Sequence, residues 1–337
     1  MRFVAALLVV FTHSTFYVGE RLIPGFPVWS NGAAGVDIFF VISGFVMVIS
    51  SQELLARADG WRIFMMRRIA RIVPLYWIAT SLKLAAIISV PSMAINAGLD
   101  PWHIAKSFLF LPSFNERGVL EPVLGVGWTL NFEMFFYAVF AAALFLRRPP
   151  LRLVTMLFLV VCFIALLRTP AWPAIGFWAN TIVIEFVAGM WIAHACLTGR
   201  QCNLLGAMAM VGIGFGGLLV PWGDIPDMMR PLTWGIPAML IVCGVAFMEP
   251  ALKGRVPAPL LYLGNSSYAL YLFHPMVAPI APALLAKLGL VNAPLSISAS
   301  VLLAIASGSF VHSFIERPIN KVTRSTFRRS EAGSATA

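Results

Sequence analysis

Apolar residues in this chain come in runs of about 20, not at the three-and-four spacing of a helix with one wet face. A hydrocarbon layer about 30 Å thick is crossed by about 20 helical residues. Ten segments meet that requirement: 3–19, 33–51, 71–91, 127–146, 151–168, 174–197, 203–221, 231–249, 261–287 and 295–316. The ninth holds Pro275, Pro279 and Pro282 and is expected to kink or break. Residues 54–69 mix Arg with Phe, Met and Trp, the pattern of an amphipathic helix lying in the membrane interface. Residues 101–113 are too short to span and read as a re-entrant or surface segment. The expected fold is therefore all-α: a polytopic transmembrane bundle of about ten helices. One integral membrane domain fills residues 1–318, and a short basic tail, residues 319–337, is expected to be disordered.

Composition agrees with this pattern. Of 337 residues, 60% are hydrophobic and 11% charged, too few charges for the surface of a soluble domain of that size. The net charge of +10 would otherwise point to nucleic acid. Here most Lys and Arg lie in short connections between apolar runs, which is the signature of membrane topology and anionic lipid. With the N-terminus inside, the inner connections hold Arg2, the cluster Arg57 to Arg71, Arg147, Arg148, Arg152, Arg200, Lys253, Arg255 and the basic tail. The outer side keeps Arg21, Lys106, Arg117, Arg168 and Arg230, while Lys83 and Lys287 fall within spans. Both termini are thus expected in the cytoplasm, with the chain in a bacterial inner membrane. Cys162, Cys196, Cys202 and Cys243 form no Cys-x-x-Cys pair and no zinc-finger spacing, so neither a disulfide framework nor a structural metal is expected. Met1-Arg2 runs directly into apolar residues, and no small-residue cleavage site marks a signal peptide.

Charged groups inside a bilayer are costly and face the bundle interior, so the few present here are the candidates for chemistry. His13 follows Arg2 by eleven positions, close to a whole number of turns, which sets the two on one helix face about 16 Å apart. An anion held by Arg2 could therefore reach His13 with its far end. Asp37, in Gly35-Val36-Asp37-Ile38-Phe39-Phe40, has apolar neighbours and needs a partner or serves as a helix cap. The pair Ser43-Gly44 reads as a close-packing site. Glu133 sits among aromatics in Trp128-Thr129-Leu130-Asn131-Phe132-Glu133, where a cation or a His would stabilise it. Glu185 is indistinguishable from an interhelical hydrogen-bonding residue. His274-Pro275 follows a polar stretch, Gly264 to Tyr268, that could line a cavity. Arg68 and Arg71, three apart, suit either a phosphate clamp or lipid headgroups. No Gly-x-Ser-x-Gly elbow and no phosphate-binding Gly-rich loop occurs.

Taken in order, these motifs resemble the acyltransferase-3 family of membrane O-acyltransferases. The resemblance rests on Arg2/His13, Gly35 to Gly44, Arg68-Ile69-Ala70-Arg71-Ile72-Val73-Pro74-Leu75-Tyr76, Trp128 to Glu133, and Ser267-Tyr268-Ala269-Leu270-Tyr271-Leu272-Phe273-His274-Pro275. The stretch Gly127 to Tyr137 is most similar to the exopolysaccharide acetyltransferase branch. The resemblance implies ten spans, acyl-CoA from the cytoplasm as co-substrate with no bound cofactor, and acylation of a carbohydrate hydroxyl. It assigns catalysis to His13, Asp37 and Glu133, and acyl-CoA or substrate binding to Arg2, Arg68 and Arg71, with Trp128, Asn131, Tyr268 and His274 as further binding candidates. Family members usually begin several residues before the Arg, so either an earlier start or a shorter inner lip is expected. A stand-alone form, with no soluble esterase-like domain, is expected too.

The resulting scheme has acyl-CoA phosphates at Arg2, Arg68 and Arg71, with the thioester reaching His13. Oriented by Glu133 or Asp37 in one shared chamber, His13 would deprotonate a sugar hydroxyl. The competing reading is a proton-coupled transporter or flippase for a glycan or lipid, with the same three residues as a relay. A non-catalytic partner in a polysaccharide-assembly complex is a third. Neither acyl group, acceptor nor homo-oligomeric state is legible in the sequence.

Overall fold

A computed structural model describes residues 1–89, 99–169, 171–223 and 226–323. Twelve α-helices are present among them: α1 (Arg2–Arg21), α2 (Gly35–Ser50), α3 (Gly60–Ser89), α4 (Pro101–Phe108), α5 (Trp128–Phe145), α6 (Pro150–Ala165), α7 (Ile184–Leu197), α8 (Leu204–Leu219), α9 (Ile236–Leu252), α10 (Ala258–Val277), α11 (Ile280–Lys287) and α12 (Ala293–Val311). Among the described residues there is no β-strand, only a lone bridge between Phe114 and Leu120. Seven helical stretches are long and apolar enough to cross a membrane: Arg2–Arg21, Ser30–Ser50, Gly60–Ser89, Gly125–Phe145, Asp227–Leu252, Ala258–Lys287 and Ala293–Thr323. The other three expected spans are shorter apolar helices, Pro150–Ala165, Thr181–Leu197 and Leu204–Leu219. The protein is a multi-pass helical membrane protein.

Local sequence explains where the helices depart from expectation. Residues 54–69 and 71–91 were expected as two elements. From Gly60 they form one 30-residue helix, α3, with Pro74 inside it. Its far end, from residue 90, lies outside the described residues, as does the tail from residue 324. The segment 174–197 is not one helix. Pro173 precedes a short 3₁₀ turn, and Asn180 caps a fresh start by accepting from the Ile182 N–H at 2.9 Å. The expected break in 261–287 falls between Val277 and Ile280, next to Pro279. Residues 101–108 form a surface helix capped by Asp100, which accepts from the His103 N–H at 2.8 Å. Tyr76 and Trp77 of α3 dock it by donating to the carbonyls of Ser107 and Phe108 at 3.0 and 2.9 Å.

Helix α2 is the centre of the bundle. It packs against α1, α7 and α9, and Asp37, Ile38 and Val41 are fully buried. A helix surrounded on all sides has no polar stripe, and α2 carries one charge, Asp37. Its approach to α7 is set by two glycines: a Cβ on Gly44 would run into the Phe186 carbonyl, and one on Gly189 into the Val41 carbonyl. Backbone obstacles cannot rotate away as side chains can. Gly44→Ala or Gly189→Ala should therefore force α2 and α7 apart, at a cost of about 1–3 kcal/mol or more. Size-exclusion profiles of heated, detergent-extracted protein check this; Gly216→Ala, which meets nothing within 4 Å, should match the parent.

Candidate active site

Helix α1 runs between two cavities. Arg2, at its start, lines one; His13 and Arg21, in its second half, line the other. At 1.5 Å per residue, Arg2 and Arg21 are about 28 Å apart along the axis. The two cavities therefore lie at opposite ends of the bundle.

The cavity at the Arg2 end is narrow, about 80 Å³. Arg2, Arg68, Arg71, Ser43, Glu133, Tyr137 and Tyr268 are among its lining residues. The three guanidiniums come from the first turn of α1 and the first half of α3, and they sense one another's charge and that of Glu133. Glu133 is held in place rather than free: Ser43 donates to it at 3.0 Å, and the Tyr137 hydroxyl makes a short hydrogen bond to the same oxygen. Arg68 donates to Ser50 at 3.0 Å through Nη2, while its buried Nε has no partner among the described residues. A buried guanidinium edge left open costs free energy unless a ligand fills it. Tyr268 donates to the Ile72 carbonyl at 2.8 Å, tying α10 to α3 beneath the arginines.

The second cavity is larger, about 710 Å³, within the range of small-molecule sites. His13 lines it, and its Nδ1 lies 3.0 Å from Nε2 of His274. Proline fixes the chemistry of that pair. Pro275 has no N–H, so the carbonyl of Tyr271 lacks its i+4 backbone donor. His274 fills the vacancy with its own ring: Nδ1 sits 2.8 Å from the Tyr271 carbonyl and 3.3 Å from that of Leu270. A carbonyl only accepts, so Nδ1 of His274 carries the proton and its Nε2 is a bare acceptor when the ring is neutral. His13 must then donate through Nδ1, which also lies 3.1 Å from the Val9 carbonyl. Its Nε2, left with a lone pair, has no partner among the described residues.

Between the cavities stands Tyr271. It lines the narrow cavity, donates to the Val126 carbonyl at 3.0 Å, and lies 3.0 Å from the Thr129 hydroxyl. Val126 lines the larger one. Phe39 meets the Tyr271 ring edge-on at 5.6 Å.

The expected single chamber for His13, Asp37 and Glu133 is not what the structure holds. His13 and Glu133 line different cavities, and Asp37 lines neither. The orienting partner of His13 is His274. Asp37 is fully buried in a bidentate pair with Arg230, at 3.0 Å to Nε and 2.7 Å to Nη2. Arg230 also donates to the Ala33 carbonyl at 3.2 Å and lies over the rings of Trp234 and Trp128. Glu185 is buried beside Asp37. Arg2, Arg68, Arg71 and Tyr268 line one cavity; Trp128 belongs to the second, and Asn131 lines neither. The Asn131 Oδ1 is buried and has no partner among the described residues, and its backbone carbonyl accepts from Trp178 at 3.3 Å. Among the described residues, no three His, Cys, Asp or Glu side chains are grouped as metal ligands.

Sequence reasoning missed Arg230, counted only as an outer loop charge, and the joining of His13 to His274. The need of Asp37 for a partner was visible; its identity, 193 residues away, was not. For His274 the signal was the proline that follows it.

Three comparisons bear on these cavities. A family model described as an acyltransferase domain matches residues 1–313. The chain is 37% identical to the exopolysaccharide production protein ExoZ of Rhizobium meliloti over 90% of its own length and 94% of that protein. It is 26% identical to the acyltransferase MdmB of Streptomyces mycarofaciens, over 85% of this chain and 80% of the other. Identity to the O-acetyltransferase OatA of Staphylococcus aureus is 25%, over 73% of this chain and 46% of that one. No solved structure matches the chain at a significant level.

Removing one partner from a buried ion pair leaves the other charge uncompensated, at a cost of about 3–5 kcal/mol. Asp37→Asn and Arg230→Gln should each lower thermal stability sharply, and the double variant should recover much of the loss. A double-mutant cycle on melting in detergent gives the coupling; purely additive losses would contradict the pairing.

Proposed function

The chain belongs to the acyltransferase-3 family and is an acyltransferase, and from that premise we propose that it carries an acyl group from cytoplasmic acyl-CoA to a hydroxyl of an exported carbohydrate. Acetyl is favoured as the acyl group by a relative named for O-acetylation. In this reading the ten apolar helices all cross a bacterial inner membrane, and the Arg2 end faces the cytoplasm. The distribution of Lys and Arg supports that orientation.

The mouth of the narrow cavity receives the phosphates of acyl-CoA. Arg2, Arg68 and Arg71 bind its phosphates, and the open Nε of Arg68 is a donor awaiting an anion. Glu133, fixed by Ser43 and Tyr137, keeps three like charges together in the absence of the ligand. The slender acyl-pantetheine arm passes the layer of Phe39, Thr129 and Tyr271 to reach His13. The larger cavity, on the outer side, receives the sugar.

The reaction needs one base. Nε2 of His13 takes the proton of the sugar hydroxyl as its oxygen attacks the thioester carbonyl. The C–S bond breaks, and the CoA thiolate leaves and recovers the proton from His13. No covalent enzyme intermediate is required. His274 is a positioning residue: it accepts the Nδ1 proton of His13 and so keeps the lone pair on Nε2. The observation that carries this reading is the hydrogen-bond chain from the Tyr271 carbonyl through His274 to His13, which ends on a bare nitrogen at a sugar-sized cavity. Asp37 and Arg230 act at a distance, by joining α2 to the start of α9.

The test uses purified protein in vesicles, acetyl-CoA, and de-esterified glycan from a producing strain lacking the gene, with release of CoA thiol as the readout. His13→Ala should lower kcat by about 10²–10⁴-fold while the protein stays folded and inserted; normal turnover by this variant would end the proposal. His274→Ala should lower kcat with KM for acetyl-CoA nearly unchanged. Arg68→Gln should do the reverse, raising that KM about 10–100-fold for a lost charge-assisted contact of about 1.5–3 kcal/mol. Turnover should also fall as pH drops, because a protonated His13 cannot accept the hydroxyl proton.

A further inference from the structure

We infer that the acceptor is an acidic molecule, held by Arg21, Lys83 and Lys287 through an anionic group it carries near the acylated hydroxyl. This rests on the reading of the larger cavity as the acceptor site and adds the chemical class of its occupant.

The three cations come from three different helices: the last turn of α1, the later half of α3, and the end of α11. All three line the same cavity as His13. None of them makes an ion pair or side-chain hydrogen bond with another described residue. Arg21 and Lys83 are near enough to repel each other. One acid shares the wall, Glu121, and it does not serve them: burial alone pushes its carboxyl up, and no neighbouring cation pulls it down. Bringing like charges round an apolar-walled cavity is unfavourable unless something of opposite sign enters.

Their location sharpens the point. Membrane proteins keep Lys and Arg away from the outer side, and this chain places few there. Of those few, Arg230 is spent on Asp37. Arg21 is joined at the cavity by Lys83 and Lys287, which the sequence pattern alone leaves stranded inside spans. Arg21 lies about 12 Å along α1 from His13, within reach of a charge borne on a sugar adjoining the reactive one. The same chemistry fits a carboxylate on the glycan or a phosphate of its lipid carrier.

The full-length protein in phosphatidylcholine vesicles tests this. The acceptor is lipid-linked, unesterified glycan from the gene-deleted producing strain, used intact and after carbodiimide activation and borohydride reduction of its carboxyl groups to alcohols. KM for the glycan in the parent protein should rise about tenfold or more on carboxyl reduction, and should rise with added salt. The triple substitution R21Q/K83Q/K287Q should raise KM for intact glycan about 10–100-fold while KM for acetyl-CoA stays within twofold. Lys106→Gln, on α4 and outside both cavities, should match the parent. If the triple variant does not fold, Lys287→Gln, at an exposed helix end, together with the salt series on the parent, makes the same comparison. A KM raised by the variants but untouched by carboxyl reduction assigns the anion to carrier phosphate. Equal KM for both glycans with no effect of the variants or of salt overturns the inference. So does a parent protein that needs phosphatidylglycerol for activity while its variants lose only that dependence, since the cations would then serve membrane lipid. A His13→Ala variant with full activity would instead strike at the acceptor-site reading itself, so the two failures are distinguishable.

Discussion

One missing hydrogen organises the histidine pair at the larger cavity of this protein. In a membrane-embedded bundle a carbonyl without a donor cannot turn to water, so it must be answered by a side chain. Pro275 withholds the donor that the Tyr271 carbonyl would have received, and His274 supplies it. That bond decides which nitrogen of His274 carries the proton. The choice passes to His13, whose Nδ1 must donate and whose Nε2 is left bare. A break in regular helix geometry thus becomes the orientation of a second imidazole. His274 can reach the carbonyl because it precedes the proline on the same helix, and it can reach His13 because α1 packs directly on α10.

The same demand for partners sorts the remaining charges. Asp37, on the most enclosed helix, is matched by Arg230 with two hydrogen bonds, and the pair pins α2 to the turn before α9. Glu133 is matched by two hydroxyls and by the field of three guanidiniums. Among the described residues, the Nε of Arg68 in the narrow cavity and Arg21, Lys83 and Lys287 around the larger one are left unmatched. Both cavities are cationic, at opposite ends of one bundle, and Tyr271 of the narrow one donates to the carbonyl of Val126, which lines the larger. That arrangement suits a reaction whose two substrates come from opposite sides of a membrane and meet only at their reacting ends.

Hydrophobic run lengths identified the helical bundle and its apolar segments, because the thickness of hydrocarbon is a constraint every spanning segment obeys separately. The spacing of Arg2 and His13 and of Arg68 and Arg71 was legible for the same reason: both are local, and a helix converts spacing into geometry. Proline marked the break between α10 and α11. These are all statements about one segment at a time.

Which helix meets which is another matter. Three of the apolar segments could have brought Asp37, Glu133 and His13 together, and their composition is equally consistent with the arrangement found. The partner of Asp37 lies 193 residues away and that of His13 lies 261 residues away, and no pattern along the chain encodes those distances. Packing at Gly44 and Gly189, where two backbones touch, sets the angle between α2 and α7 and contributes to which faces look inward. The sequence by itself determined a membrane-embedded helical protein, the family it belongs to and the residues able to do acid–base chemistry. Only the tertiary structure decided that His13 meets a second histidine while Asp37 and Glu133 find their partners elsewhere, because a hydrogen bond between helices depends on relative position in space, which local periodicity does not contain.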